Sequence, residues 1–264
     1  MTERFTEDKN GRVVYYISER SDHAKDTIFF LHGLTADHTM FDMQVEYFES
    51  NYNIITWDAP CHGASKAYPE LTYEIAAKFI KQILDENGLS KVILIGQSMG
   101  GFISQAFMCR YPGYAQAFIG IDTTPYGDYY SPTDKWWLRQ VEWMSKLYPE
   151  KLLRSALAKQ TANSPVGQKN MSRMISAYDK AELCHLMGVG FGAFIDDNRP
   201  LDIPCPVLLI VGEKDRTGKV IAYNKAWSAK TGYPIKWIPD AAHNSNVDAP
   251  ETVNKCISEF LKSI

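Results

Sequence analysis

Short apolar runs, almost free of polar residues, recur along the chain and alternate with longer segments. A strand that is covered on both faces of a parallel sheet has this unbroken apolar character, whereas a half-exposed strand alternates apolar and polar positions. The pattern therefore predicts strands at residues 13–17, 27–31, 53–57, 91–95, 117–121, 206–211 and 234–238.

The segments between several of these runs carry apolar residues at helical spacing. The clearest face consists of Ala76, Phe79, Ile80, Ile83 and Leu84, and residues 99–107 and 253–261 repeat the pattern. The alternation of strands and helices predicts an α/β architecture with a mostly parallel sheet flanked by helices.

The alternation of strands and helices is interrupted between residues 126 and 200, where no strand is predicted. The segment has apolar positions at helical spacing and is rich in tryptophan and methionine. We expect residues 126–200 to form a helical cap, inserted into a discontinuous core made of residues 1–125 and 201–264. The insertion begins just after one core strand and ends just before another, and both ends lie at the same rim of the sheet. We therefore expect the cap to cover that rim. Its Trp136 and Trp137 are predicted to line a substrate pocket.

Composition narrows the class of protein. The 264 residues carry a formal net charge of −3, so a broadly basic nucleic-acid surface is not expected. No apolar stretch approaches the roughly twenty residues of a membrane span, and the polar N-terminal residues do not resemble a signal peptide. Five scattered cysteines have no metal-ligand spacing, which indicates a reducing cytoplasm and no metal site. The oligomeric state is not indicated.

A candidate nucleophile follows the strand predicted at residues 91–95. Residues 96–100 read Gly-Gln-Ser-Met-Gly and precede a predicted helix, which is the G-x-S-x-G pattern in strand–turn–helix context. Glycines allow the tight turn that exposes the hydroxyl of Ser98, and the helix N-terminus directs free N–H groups to the same place. The sequence therefore predicts Ser98 as a nucleophile.

A serine nucleophile needs a base, and the base needs an acid that orients it. Asp215 follows the strand predicted at residues 206–211, and His243 lies in a loop after the last predicted strand. Along the chain, Ser98, Asp215 and His243 follow the order nucleophile, acid, base, which is the order in hydrolases whose serine lies in a strand–turn–helix motif. Asp122, at the end of another predicted strand, is the alternative acid.

Two backbone N–H groups are candidates for an oxyanion hole. Leu34 follows a predicted strand in the segment His32-Gly33-Leu34, and Met99 follows the nucleophile. We expect His32 to order this loop, and Asp58, His62 and Ser65 to hold the following loop, rather than to transfer protons.

Taken together, these motifs resemble the α/β-hydrolase superfamily, in its subgroup of small single-chain hydrolases with a helical cap. The resemblance rests on His32-Gly33, the D-x-P-x-H-G-x-S segment at residues 58–65, the turn at Ser98, Gly212-x-x-Asp215 and His243. Cys61 and Ala242 stand where the family usually has glycine. A serine at position 98 excludes the family's dehalogenases and usual epoxide hydrolases, whose nucleophile is aspartate.

The resemblance implies a cofactor-free serine hydrolase that cleaves a small carboxylic ester or a related acyl compound through an acyl-enzyme on Ser98. The expected substrate is a weakly charged small molecule with an apolar or aromatic part. Hydrolysis of a C–C bond, a thioester or a lactone remains an alternative. A slow-turnover ligand-binding receptor on the same fold is another.

Overall fold

The computed structural model describes residues 1–18 and 25–264 and has an eight-stranded sheet at its centre. The strands are β1 (Thr2–Asp8), β2 (Gly11–Ile17), β3 (Thr27–Leu31), β4 (Asn53–Trp57), β5 (Val92–Gln97), β6 (Ala115–Ile121), β7 (Val207–Gly212) and β8 (Ile235–Ile238). Their order across the sheet is β1-β2-β4-β3-β5-β6-β7-β8. Strand β2 pairs antiparallel with both neighbours, and the pairs from β4 to β8 are parallel.

Eleven helices are assigned in the described part of the chain. Those of the core are α1 (Asp42–Phe48), α2 (Tyr73–Glu86), α3 (Met99–Arg110), α9 (Val220–Thr231), α10 (Ser245–Asp248) and α11 (Pro250–Leu261). Between β6 and β7 the chain forms α4 (Pro132–Arg139), α5 (Val141–Lys146), α6 (Glu150–Thr161), α7 (Pro165–Ile175) and α8 (Lys180–Asp197). Short 3₁₀ turns occupy His38–Phe41 and Gly63–Ser65.

The predicted fold class is confirmed, and the strand predictions hold within a few residues. Strands β3, β4, β5 and β7 are buried along their whole length, which explains their unbroken apolar sequences. Strand β1 was not predicted. It lies at the edge of the sheet, only Thr6 of its seven residues is buried, and its sequence is therefore mostly polar.

The strand order identifies one crevice of the sheet. From β3 the chain moves outward to β4, and it then returns to place β5 on the other side of β3. At such a switch point the connections leave the carboxyl ends of the two strands in opposite directions, and a crevice opens between them. The loop at residues 32–35 follows β3, and Ser98 follows β5, so both lie at this crevice.

No helix among the described residues is both long enough and apolar enough to cross a membrane.

Candidate active site

Ser98 lies in a sharp turn between β5 and α3. Its φ of 48° and ψ of −111° are strained for a residue with a side chain. The turn is held because the Ser98 N–H donates to the carbonyl of Ile121 on β6, over 2.9 Å. A Cβ on Gly100 would overlap the carbonyl of Leu31 on β3, so only glycine lets the first turn of α3 approach this strand.

Backbone strain is concentrated at this edge of the sheet. Among the described non-glycine residues with positive φ, four follow four neighbouring strands, and they are Thr35, Cys61, Ser98 and Asp122. Residues in sparsely populated conformations persist only where the surrounding structure holds them, and they cluster at functional sites. This observation supports the crevice as the functional edge.

The structure brings Ser98, His243 and Asp215 into one hydrogen-bonded chain. His243 Nε2 lies 2.9 Å from Ser98 Oγ, and His243 Nδ1 lies 2.8 Å from Asp215 Oδ2. Because a carboxylate only accepts hydrogen bonds, Nδ1 carries the imidazole proton and Nε2 accepts from the serine hydroxyl. The other oxygen of Asp215 accepts from the N–H of Thr217 over 2.7 Å, which fixes the orientation of the carboxylate.

Two opposed effects act on the pKa of His243. Burial lowers it, but the charge and hydrogen bond of Asp215, together with the charge of Asp122, outweigh burial and raise the pKa above its ordinary value. A stronger base accepts the serine proton more readily, and a buried carboxylate stabilises the resulting imidazolium. The arrangement can therefore activate Ser98 as a nucleophile.

The alternative acid, Asp122, has other partners. Its two oxygens accept from the backbone N–H of Gly212 at 2.7 Å and of Ser245 at 2.9 Å. Burial and the nearby Asp215 charge raise the pKa of Asp122. The structure thus places Asp215, rather than Asp122, at His243 Nδ1. Asp122 instead joins the end of β7 to the segment that follows His243.

The two candidate oxyanion donors lie on either side of Ser98. A Cβ on Gly33 would overlap the side chain of Gln97 and would lie 3.5 Å from Ser98 Cβ, so the loop after β3 rests directly on the nucleophile turn. Within the described part of the chain, the N–H groups of Leu34 and Met99 have no hydrogen-bond acceptor. Both are free to donate to an oxygen that develops charge above Ser98.

A reciprocal pair of histidines holds the loop that carries Leu34. His32 Nε2 accepts from the N–H of Ala59 at 3.0 Å, and His62 Nε2 accepts from the N–H of Thr35 at 3.1 Å. The Nδ1 atoms then donate to the carbonyls of Gly33 and Pro60. Each histidine thus joins the loop after β3 to the loop after β4.

Both histidines are neutral in this arrangement, because each uses Nε2 as an acceptor. Burial lowers the pKa of His32, and burial together with the neighbouring His32 lowers the pKa of His62 to about 3. Neither can exchange protons near neutral pH, which agrees with a structural role.

The other polar residues of the second loop also bind backbone. Asp58 accepts from the N–H groups of His38 and Ala64, each over 2.8 Å, and Ser65 Oγ accepts from the N–H of Val14 over 2.8 Å. The motif at residues 58–65 therefore joins the loops after β4 to β2 and to the turn at residue 38.

One residue of the site was not singled out from the sequence. Gln97, immediately before the nucleophile, donates from Nε2 to the carbonyl of His243 over 2.8 Å. It is buried. This bond connects the nucleophile turn directly to the histidine loop, so Gln97 positions the base. The only sequence signal was a polar residue at the end of a buried strand.

Above Ser98 and His243 lies a cavity of about 340 Å³. Its lining is mostly apolar and comes from the loops at the strand ends, from α3, from residues 217–223 and from the region of helices α4–α8, which we call the cap. The cap contributes Leu138, Val141, Leu157, Met171, Met187, Phe191 and Phe194. A cavity of this size with few polar groups suits a small organic molecule.

The prediction that Trp136 and Trp137 line the cavity is wrong. Both side chains are exposed, by 55% and 52%, and neither borders the cavity. On the same stretch of chain Leu138 of α4 and Val141 of α5 face inward and line the cavity. The tryptophans precede Leu138 by two and one residues, so they leave the axis of α4 in other directions and are exposed to solvent. Apolar residues occupy more than one side of α4, so its sequence did not indicate which side faces inward.

The fold and site define an α/β protein with a serine–histidine–aspartate arrangement at a topological switch point. Comparison with known proteins agrees: residues 26–162 match the family model of the alpha/beta hydrolase fold. The chain belongs to the α/β-hydrolase family.

Several relatives match nearly the full length. The chain is 25% identical over 263 residues to a 2-(acetamidomethylene)succinate hydrolase of Mesorhizobium japonicum, covering 95% of this chain and 92% of that protein. It is 23% identical over 258 residues to 3-oxoadipate enol-lactonase 1 of Acinetobacter baylyi, with coverage of 90% and 89%. These relatives support hydrolase activity as the general class.

Solved structures agree on the fold. A malate-bound thermophilic esterase from Thermogutta terrifontis superposes with a TM-score of 0.79 at 23% identity, covering 100% of this chain and 99% of that one. An enol-lactonase from Burkholderia xenovorans gives a TM-score of 0.78 at 19% identity, with coverage of 98% and 100%.

Proposed function

We propose that the protein is a serine hydrolase that cleaves small, neutral carboxylic esters with an apolar acyl group. The observation that carries this proposal is the hydrogen-bonded chain from Ser98 Oγ through His243 to Asp215, at the floor of an apolar cavity. The nucleophile, its base and the orienting acid are in place before substrate arrives.

The geometry supports a two-stage reaction. Ser98 Oγ attacks the ester carbonyl while His243 Nε2 takes the hydroxyl proton, and the N–H groups of Leu34 and Met99 donate to the oxyanion. When the tetrahedral intermediate collapses, the alcohol leaves with the proton from His243, and the acyl group stays on Ser98. Water then attacks the acyl-enzyme, gives its proton to His243, and releases the carboxylic acid and the free serine.

The charges around the cavity favour a neutral substrate. Among the described lining residues, Asp122 and Lys219 are the only ones of the Asp, Glu, Lys and Arg types. Asp122 is held by two backbone N–H groups, and Lys219 Nζ lies 2.7 Å from the carboxylate of Asp134. A substrate carboxylate would enter the cavity without a free cationic partner, and burying an unpaired charge is costly. This differs from what the names of the two relatives described above imply, because succinate and adipate derivatives carry carboxylates.

A matched substrate series tests the proposal. The p-nitrophenyl esters of butyrate and of succinate place a methyl group or a carboxylate at similar positions, and a butyryl thioester, a lactone and a β-diketone represent the other bond types. We expect the highest kcat/KM for the neutral butyrate ester, with no turnover by Ser98→Ala. A preference for the succinate ester contradicts the neutral pocket, a preference for the lactone or diketone contradicts the ester assignment, and a single stoichiometric burst without turnover favours a receptor.

A further inference from the structure

The first three helices of the cap, α4, α5 and α6, and the turns between them carry the largest concentration along the sequence of exposed apolar side chains in the described part of the chain. Half of the large exposed hydrophobic residues fall between residues 136 and 152. We call them the cap patch, and they are Trp136, Trp137, Trp143, Leu147, Tyr148 and Leu152. Exposed apolar clusters of this kind mark interaction surfaces, because they gain free energy when they leave water.

The side-chain types of the cap patch limit the kinds of partner that it could bind. Three of its six residues are tryptophans and one is a tyrosine, and Trp136 and Trp137 stack edge to face with ring centroids 4.7 Å apart. These side chains combine a large apolar body with one polar atom, which is the combination that is favoured at the boundary between lipid headgroups and hydrocarbon.

The charges near the cap patch also favour a lipid surface as its partner. Each carboxylate of α4, α5 and α6 is already paired: Asp134 with Lys219, Glu142 with Lys146, and Glu150 with Arg154. In contrast, no carboxylate of the described residues lies within ion-pair distance of three lysines of these helices, Lys135, Lys151 and Lys159. A chain with an overall charge of −3 therefore presents unpaired positive charge beside its exposed aromatic residues.

We propose that the cap patch docks on the surface of an anionic phospholipid bilayer. Aromatic residues beside unpaired lysines match an interface of acyl chains and negatively charged headgroups. A second copy of the chain fits less well, because a two-fold contact through the same patch would bring these lysines toward one another.

Docking there would also orient the cavity. Its most exposed lining residues are Gln160, Gly218 and Lys219, so the cavity opens beside them. Lys219 is paired with Asp134 in the first turn of α4, directly before Trp136 and Trp137. One end of the cap patch therefore lies near the cavity mouth, and the consequence, which rests on the proposed function, is that an ester held in the bilayer would meet Ser98 by a short path.

Vesicle binding by the full chain, without any ester present, tests the docking itself. Co-sedimentation compares vesicles of phosphatidylcholine alone with vesicles of two parts phosphatidylcholine and one part phosphatidylglycerol. We expect binding to the anionic vesicles, a blue shift of tryptophan emission, and weaker binding at high salt. The double variant Trp136→Ala/Trp137→Ala should lower the partition coefficient at least about tenfold. Lys135→Gln, Lys151→Gln and Lys159→Gln should each lower it about fivefold, on anionic vesicles alone.

Matched controls lie on the core. Tyr47→Ala removes an exposed aromatic residue of α1, and Lys262→Gln removes an exposed lysine that follows α11. Both should bind as the wild type does. Equal binding by the wild type and the tryptophan double variant would overturn the proposal. If the wild type is a dimer that does not bind vesicles, and the double variant is a monomer, the proposal is overturned in favour of docking to a second copy of the chain.

Hydrolysis of a water-soluble ester, measured in parallel, separates the two proposals. The double variant should hydrolyse it at the wild-type rate, since neither tryptophan borders the cavity. Ester hydrolysis by a wild type that does not bind vesicles would overturn the docking alone. Vesicle binding without hydrolysis would support the docking and contradict the proposed function.

Discussion

The strand ends of the sheet and the cap that covers them are built from different interactions. At the strand ends, buried polar side chains such as Asp122, His32 and His62 each bind specific backbone groups. Around the cavity, the cap presents mostly apolar side chains. Hydrogen bonds weaken steeply with distance and angle, whereas apolar contact depends mainly on the area covered. Changes to Ser98, His243 or Asp215 should therefore cost orders of magnitude in rate, changes to the polar residues that support them should mainly cost stability, and changes in the cap should alter substrate preference.

The largest expected effect comes from Ser98→Ala. Loss of the nucleophile from a serine triad lowers kcat by about 10⁶. The matched control is Ser104→Ala, which removes a buried hydroxyl of α3 that donates to the carbonyl of Gly100. The control should keep its activity. Peptide mapping after treatment with a fluorophosphonate should locate the label on Ser98, and a label elsewhere contradicts the assignment.

The next effect distinguishes the two aspartates at the strand ends. Asp215→Asn presents an amide to His243 Nδ1, disfavours the productive tautomer, and should lower kcat by about 10⁴. Asp122→Asn leaves the bond between Asp215 and His243 in place. The NH₂ group of the asparagine, however, points at one of the two backbone N–H groups that the carboxylate accepts from. This substitution should lower the melting temperature with a much smaller loss of kcat. A larger loss of kcat for Asp122→Asn would show that Asp122 is the working acid.

Predictions for the cap compare residues that are close in sequence but differ in whether they line the cavity. Each methylene that enters an apolar pocket contributes about 0.8 kcal/mol, or about fourfold in kcat/KM. With esters from acetate to octanoate, Leu138→Ala and Val141→Ala should move the optimum to longer acyl chains, because both side chains line the cavity. Trp136→Ala and Trp137→Ala should leave the profile unchanged. A shift caused by the tryptophans would contradict the observed orientation of α4.

The same contrast explains how much the sequence could predict. Ser98, Asp215 and His243 were identifiable because a tight turn with obligatory glycines and a fixed strand order leave a local pattern, and the structure places the three together. The direction of a cap helix leaves no such pattern. Residues 136–141 are apolar on several sides, and their rotation follows from the Ser131–Asp134 capping box, the ion pair of Asp134 with Lys219 and the packing against α8.

Two other features were missed for related reasons. Strand β1 has the sequence TERFTED, and it becomes a strand by pairing with β2 rather than by burying an apolar face. Gln97 acts through a side-chain bond to a residue 146 positions later in the chain. Such long-range contacts depend on the assembled sheet, so a single sequence does not reveal them.

The carboxylates near His243 should affect the pH dependence of kcat/KM. The proposed base works only when neutral, and the Asp215 and Asp122 carboxylates raise the pKa of His243. Activity should therefore be lost as the pH falls through a midpoint above the reference value of about 6.5. The measurement is kcat/KM for a neutral ester from pH 5 to 9, and a midpoint below 6.5 in the wild type contradicts the proposed electrostatics.

The smallest effect concerns the histidine pair beneath the oxyanion loop. At pH 8, His62→Gln should be less stable than the wild type by about 1–3 kcal/mol, because the buried N–H of Thr35 loses a well-placed acceptor. As the pH falls below about 6.5, the unfolded wild-type chain takes up a proton on His62. The folded chain does not, because burial and His32 lower this pKa to about 3. The wild type thus loses up to about 1.4 kcal/mol of unfolding free energy per pH unit from this group, and the variant does not.

The gap in stability between the wild type and His62→Gln should therefore narrow between pH 6.5 and 4.5, although the variant is the less stable protein at pH 8. Urea unfolding at a series of pH values measures the gap. A constant gap for His62→Gln would mean that His62 binds a proton equally well in both states. That result would exclude a neutral Nε2 that accepts from Thr35, and with it the reciprocal histidine contact that holds the proposed oxyanion loop.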